Sequence, residues 1–344
     1  MRSRLAAQFL LLVATACSTD AIPPASSASV SATPMVTASP AATATRAPTP
    51  KLPPTPMPLT SDGLAASVEA TDARPHLEAL QRIAGQHGGN RAAGTTGYEA
   101  SVAYVTEQLE ASGYTVVRHR FSLPGAGDSV SLLAERMGTG TGVIMLGAHL
   151  DSVVAGPGIN DNGSGVAALL ILADRLMTFA PPDRTVRFAF WGAEEEGPFG
   201  SQAYVDARDA EGVVAYLNFD MLASPNPVRF VYAETDAAPS SDELTRLFAD
   251  AFESAGLDWE PIDLEGDSDH GPFIDAGVAT GGLFSGGIEP VTDAQAAIFG
   301  ADAGVPADPC SHRSCDTLDH IDEEVLDQML DAMAVVLVAL ASEP

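Results

Sequence analysis

Gly142-Val-Ile-Met-Leu-Gly-Ala148 is a short, continuous apolar run, the pattern of a strand buried on both faces rather than one with a solvated side. A strand of that kind needs helices above and below it, so the run points to a largely parallel sheet inside an α/β domain. The flanking sequence supplies both kinds of element. Thr95 or Thr96 caps an expected helix reaching Ser112, which Gly113 closes in a left-handed turn. Strands are expected over 114–121, 129–136, 185–191, 213–220 and 228–232, and helices over 164–179 and 242–255. A last amphipathic helix over 322–340 carries Val325, Leu326, Met329 and Met333 on one face. There is no internal repeat. The alternation predicts an α/β fold, a three-layer α/β/α sandwich with a central mixed, mostly parallel β-sheet.

At 344 residues the chain fits two average domains or one large α/β domain, and 46% hydrophobic residues fill a sizeable core. Its 17 Lys+Arg stand against 46 Asp+Glu, a formal net charge of −29. The single lysine is Lys51, so residues 61–344 contain none. A nucleic-acid partner requires a basic face and is excluded on this balance. Most of the negative charge reads as solvated surface.

The amino terminus reads as an export signal. Arg2 and Arg4 precede an apolar run to Ala16 that is too short to span a bilayer. Ala14-Thr15-Ala16 fits an ordinary cleavage site, and small residues followed by Cys17 also resemble a bacterial lipobox, although Ala14 stands where Leu or Val is more frequent. The expectation is a signal peptide over 1–16 and lipidation of Cys17, placing the protein in the bacterial cell envelope; secretion into the medium is the alternative. Residues 17–60 form a Pro/Ala/Ser/Thr-rich stretch holding ten of the 25 prolines, the composition of a disordered tether. The folded domain is expected over 61–344. No later run is long enough to cross a membrane, so membrane contact would be made only through Cys17. The remaining cysteines, Cys310 and Cys315, lie five apart, and a local disulfide is plausible outside the cytoplasm.

Chemistry-bearing residues follow immediately after the expected strands. His149-Leu-Asp151 follows the first run, with Gly158-Ile-Asn-Asp161-Asn-Gly-Ser-Gly165 close behind. Gly192-Ala-Glu194-Glu195-Glu196-Gly197 follows 185–191, and Asn218-Phe-Asp220 ends the next strand. Ser268-Asp269-His270 and Cys310-Ser-His312-Arg-Ser-Cys315-Asp316 come later. Singly, each has an ordinary reading as a cap, a turn or a solvated loop. Several strand ends of one sheet delivering His, Asp and Glu to one edge is much less readily accidental. Imidazole and carboxylate without thiolate suit zinc, and two histidines with three or more carboxylates suffice for two ions sharing a carboxylate. Glu194 and Glu195, as adjacent extended residues, would point opposite ways, one towards metal and one towards water.

These stretches, in this order, resemble the M28 zinc aminopeptidases, the bacterial leucyl and Streptomyces-type enzymes related to glutamate carboxypeptidase, across roughly 75–340. The resemblance implies two Zn²⁺ per chain. His149 and Asp220 resemble the terminal ligands of one ion, Glu195 and His312 those of the other, and Asp161 the bridging carboxylate. Glu194 resembles the general acid/base and Asp151 the carboxylate that accepts the other ring N–H of His149. Cys310 and Cys315 match a short disulfide beside the last zinc histidine. The implied activity is hydrolysis of the amino-terminal peptide bond of peptides with a free amine, with a hydroxide between the metals as nucleophile; a monomer is expected.

Two positions depart from the family pattern. Ser311 stands where close relatives have a tyrosine thought to help stabilise the tetrahedral intermediate, and Asp267 where Streptomyces-type members have an arginine that contacts a carboxylate. Asp267 argues against short acidic or carboxyl-terminal substrates. His270 is expected to support the pocket wall rather than bind zinc. The alternatives are a carboxypeptidase or dipeptidase on the same scaffold, a glutaminyl cyclase with one zinc, or a binding module that has lost its metals.

Overall fold

The computed structural model describes residues 56–342 apart from positions 126 and 236. The expected signal peptide, Cys17 and the tether up to residue 55 lie outside the described residues. The described residues belong to one unit, Pro54–Pro344. It includes positions assigned above to the end of the tether: the Met57 amide donates to the Thr178 carbonyl at 3.4 Å, and the Ala180 amide donates to that of Met57 at 2.8 Å.

Three helices, α1 (Ser61–Ala65), α2 (Ala70–Gln86) and α3 (Thr96–Ala111), precede β1 (Val116–Leu123), β2 (Gly127–Arg136) and β3 (Val143–His149). Then follow α4 (Gly165–Leu176), β4 (Thr185–Trp191), α5 (Phe199–Asp206), β5 (Val213–Phe219) and β6 (Phe230–Tyr232). The chain continues through α6 (Ser241–Ser254), β7 (Glu260–Ile262), α7 (Gly271–Asp275), β8 (Ala279–Phe284), α8 (Asp293–Phe299) and α9 (Glu323–Ala341). The strands form one sheet in the order β1-β2-β4-β3-β5-β8-β6-β7. The four central strands, β4-β3-β5-β8, are mutually parallel, while β1 and β2 extend the sheet antiparallel on one side. This is the mixed, mostly parallel sheet that the apolar run at 142–148 requires.

The alternation of side chains along β3 divides the core. Ile144, Leu146 and Ala148 enter the large cluster beneath α2, α3, α4, α6 and α9, whereas Met145 enters the opposite one. Helix α4 is buried almost all round because it lies between β3 and the outer helices α2 and α3, which explains its nearly unbroken apolar sequence. The second helical layer is thin, made by the short α5 and α7, and aromatic side chains fill the space. Tyr216 and Phe273 stack with centroids 3.9 Å apart, and the Trp191 indole donates to the Tyr216 hydroxyl at 2.9 Å. Gly147 lies beneath that pair, and a Cβ there would meet both the hydroxyl and the indole nitrogen. Gly147→Ala is therefore expected to lower stability by about 1–3 kcal/mol in a denaturant melt. A midpoint equal to the parent's would show that the aromatic pair does not close on this position.

Strand β8 is absent from the sequence expectations because Ala279-Thr-Gly-Gly-Leu-Phe284 reads as a glycine-rich loop. Packing explains Gly282: a Cβ would strike the backbone of Asn218 on neighbouring β5.

Candidate metal centre

Because the central strands run the same way, their carboxyl ends share one edge, and the site is built there. His149 is the last residue of β3, Asp220 follows β5, and Glu194 and Glu195 lie in the loop after β4. Asp161 comes from the irregular helical turn Ile159–Ser164 that leads into α4, and His312 from the loop closed by the Cys310–Cys315 disulfide.

The structure brings all five expected ligands together in two overlapping triads. His149 Nε2 lies 3.3 Å from Asp161 Oδ1 and 3.3 Å from Asp220 Oδ1. His312 Nε2 lies 3.2 Å from Asp161 Oδ2 and 3.1 Å from Glu195 Oε2. The two oxygens of Asp161 thus face different imidazoles. One atom each from His149, Asp161 and Glu195 also falls within 4.8 Å of the others. A tetrahedral zinc with bonds near 2.0–2.1 Å keeps its ligand atoms about 3.3 Å apart, the spacing these pairs show. Glu194 Oε2 stands farther off, 4.0 Å from His149 Nε2.

The electrostatics call for positive charge. Burial disfavours a charged His149, yet Asp220, Glu194, Asp151 and Asp161 together hold its pKa well above the usual imidazole value. Hydrogen bonds donated to the Asp161 and Glu195 carboxylates raise His312 to about 10. Burial works to raise Asp161, but the two histidines bring its carboxyl below the ordinary range. Burial raises both Glu194, well above its usual value, and Glu195.

Local backbone geometry aims these groups. Ala193, Met221 and His312 have positive φ of 62°, 49° and 57°. A left-handed conformation costs a non-glycine residue about 1–2 kcal/mol, and here it occurs beside Glu194, beside Asp220 and at His312 itself. Glu194 and Glu195 lie in a loop with a turn beginning at Glu195 rather than in a strand, yet their carboxylates face different histidines, Glu194 towards His149 and Glu195 towards His312. Asp151 does more than the expectation. Its Oδ1 faces His149 Nδ1 at 3.7 Å, and its two oxygens also accept the Glu194 and Glu195 amides, each at 3.2 Å.

Asp316, Asp308 and Ser268 carried no role in the sequence reading, whereas Ser311 and His270 did. Buried Asp316 accepts the Asn160 amide at 2.7 Å and the Asp161 amide at 3.1 Å, fixing the turn that presents Asp161; burial raises its pKa to about 7. Buried Asp308 accepts the Cys310 and Ser311 amides at 2.7 and 3.1 Å, shaping the His312 loop. Ser268 donates to Asp220 Oδ2 at 3.0 Å. Ser311 donates to Asp161 Oδ2 at 3.3 Å, so its hydroxyl serves the shared carboxylate. His270, fully buried, stands 3.1 Å from Glu234, whose carboxylate also accepts the Leu264 and Gly266 amides, and so supports a loop rather than the triads. The sequence carries no local signal for most of these roles, since an acidic residue in a loop looks alike whether it is buried or solvated.

Beside the triads opens a cavity of about 880 Å³, reached by Asp161, Glu194, Glu195, Asp220 and His312. Its lining also includes the apolar Val228, Phe230, Ile262, Leu264, Phe284 and Ile288. No arginine or lysine lines it among the described residues.

Comparison with known proteins agrees with this architecture. The structure superposes on that of BSAP, a zinc aminopeptidase from Bacillus subtilis, with a TM-score of 0.68 at 17% identity, covering 80% of this chain and 96% of that one, a likeness of fold. In sequence the chain is 42% identical over 282 residues to leupeptin-inactivating enzyme 1 of Streptomyces exfoliatus, covering 80% of this chain and 63% of that protein. It is 44% identical over 205 residues to the probable lipoprotein aminopeptidase LpqL of Mycobacterium tuberculosis, covering 56% of this chain and 41% of that protein. The chain thus spans less than two thirds of either relative's length. The model of peptidase family M28 matches residues 131–337, a stretch that contains both triads and more than half of the sequence; the chain belongs to peptidase family M28.

Proposed function

We propose that this chain is a zinc-dependent aminopeptidase that holds two zinc ions, His149 and Asp220 serving one, Glu195 and His312 the other, and Asp161 both. The observation that carries the reading is the pair of triads sharing Asp161, with Glu194 beside them at a distance that leaves its carboxylate unengaged. When bound, the ions polarise the peptide carbonyl and lower the pKa of a water molecule. Glu194 is held by Asp151, which accepts its amide, and burial raises the pKa of its carboxyl, favouring the protonated form. Its Oε2 accepts a proton from water and passes it to the departing amine. Asp267 and Glu289, which also line the cavity and serve no ion, offer negative charge to the substrate's amino-terminal ammonium, and the apolar side chains of the lining suit a large apolar first residue.

A carboxypeptidase must bind a carboxylate, for which the cavity's described lining offers no arginine or lysine, and Asp267 stands exposed on the wall. Two complete triads also separate this chain from a one-zinc cyclase and from a module without ligands. For cellular location, the proposal is removal of residues 1–16 and lipidation of Cys17, with a tether up to about residue 55 and the catalytic domain following it in monomeric form. The cleavage-site sequence supports this, as does a relative named a lipoprotein. No helix among the described residues is long and apolar enough to cross a membrane.

The test is a panel of aminoacyl-chromogenic substrates beside amino-blocked peptides, before and after dialysis against a strong chelator. Hydrolysis of free-amine substrates with apolar first residues is expected, lost on dialysis and restored by zinc. Cleavage of blocked peptides, or full activity after metal removal, would overturn the proposal.

A further inference from the structure

Arg91 is completely buried, yet its side chain reaches no carboxylate among the described contacts. Its guanidinium donates to three backbone carbonyls instead: Nη1 to Leu150, Nε to Pro157 at 2.9 Å and Nη2 to Gly158 at 2.6 Å. Leu150 lies between His149 and Asp151, and residues 157 and 158 lead directly into the turn that carries Asp161. Arg91 therefore grips both ends of the one loop that runs from the first histidine to the shared carboxylate. We infer that Arg91 is a positioning residue for the metal centre, clamping the two ends of that loop in register so that the His149 and Asp161 ligand atoms are spaced for an ion before it arrives. The inference rests on the zinc reading above.

The surroundings are built for this clamp. The Arg91 amide donates to Ser152 Oγ at 2.9 Å, and that hydroxyl also contacts the Gly156 carbonyl at 3.0 Å, anchoring the arginine backbone to the same loop. Gly158 has φ 64°, and a Cβ there would meet the Asp161 carbonyl, Ser152 and Arg91 Nη2, so only glycine accepts both the turn and the guanidinium. Asp316 holds the Asp161 turn through its amides while Arg91 holds it through preceding carbonyls, so the turn is gripped at both kinds of backbone group. Arginine suits the task because its planar fork directs several donors at fixed angles, whereas a lysine ammonium is a compact point charge. A buried cation bonded to carbonyls also adds positive charge beside Asp151, Asp316, Glu195 and Asp161 without occupying a ligand oxygen.

The experiment compares zinc affinity of the purified full chain and of Arg91→Lys by competition with a chromogenic chelator, alongside melting of both apo forms. Outer groups that orient metal ligands typically govern affinity 10- to 100-fold, so about that weakening is expected in Arg91→Lys. A merely structural role would lower the apo melting temperature and leave the affinity of the folded chain unchanged, and that result overturns the inference. Should Arg91→Lys not fold, Arg91→Gln, which removes the guanidinium fork but keeps an amide donor, takes its place; about tenfold weaker affinity in the folded variant supports the clamp, and parental affinity overturns it. A parent chain that binds no zinc would instead sink the zinc reading itself, a separate and recognisable failure.

Discussion

Glu194→Gln is expected to retain both zinc ions by metal analysis while kcat falls by about a hundred- to ten-thousandfold, the usual contribution of a positioned acid/base group. The amide matches the carboxylate in size but cannot take a proton at Oε2. Since Glu194 lies 4.0 Å from His149 Nε2, outside the 3.1–3.3 Å spacing of the triads, its loss leaves the ligand set intact. Burial opposes a charged carboxylate at this position, so the apo variant should melt no lower than the parent. Near-parental kcat would show that another group handles the proton. Loss of zinc would place Glu194 among the ligands.

The second large effect belongs to Asp161→Asn. Each oxygen of Asp161 faces its own imidazole, at 3.3 Å from His149 and 3.2 Å from His312, so an amide turns an N–H₂ donor towards one of them and removes the shared negative charge. Metal content should fall from two ions to one or none, and kcat/KM by at least about a thousandfold, or roughly 4 kcal/mol of transition-state stabilisation. Circular dichroism distinguishes this from unfolding. A variant that keeps two ions and parental turnover would refute the shared role of Asp161. The pair of variants separates two failures: Asp161→Asn tests whether the metals assemble, and Glu194→Gln whether a proton moves once they have.

Much of this architecture was legible because period and chemistry are local properties. A continuous apolar run requires a strand covered on both faces, and the residues that follow such runs in a parallel sheet gather at one edge, which draws attention to the stretches around His149, Asp161, Glu195 and Asp220; the choice of these residues and His312 as ligands came from the resemblance to the M28 zinc aminopeptidases. The pairing of Cys310 with Cys315, which the structure contains, rests on the same short-range evidence. Strand β8 was not legible, since its glycines follow from close approach to β5, a contact invisible along the chain.

Burial separates the two kinds of knowledge. The sequence by itself determined which residue types meet at the sheet edge, because strand order along the chain and side-chain chemistry suffice for that. Only the tertiary structure decided how they are held. Asp151 accepts the Glu194 and Glu195 amides at 3.2 Å besides facing the His149 ring, and Asp316 and Arg91 secure the backbone around Asp161. In sequence Arg91 is one arginine in a glycine- and alanine-rich loop, indistinguishable from a solvated one. Removal from water turns it into a clamp, because a buried guanidinium must find acceptors and the carbonyls around the metal centre provide them.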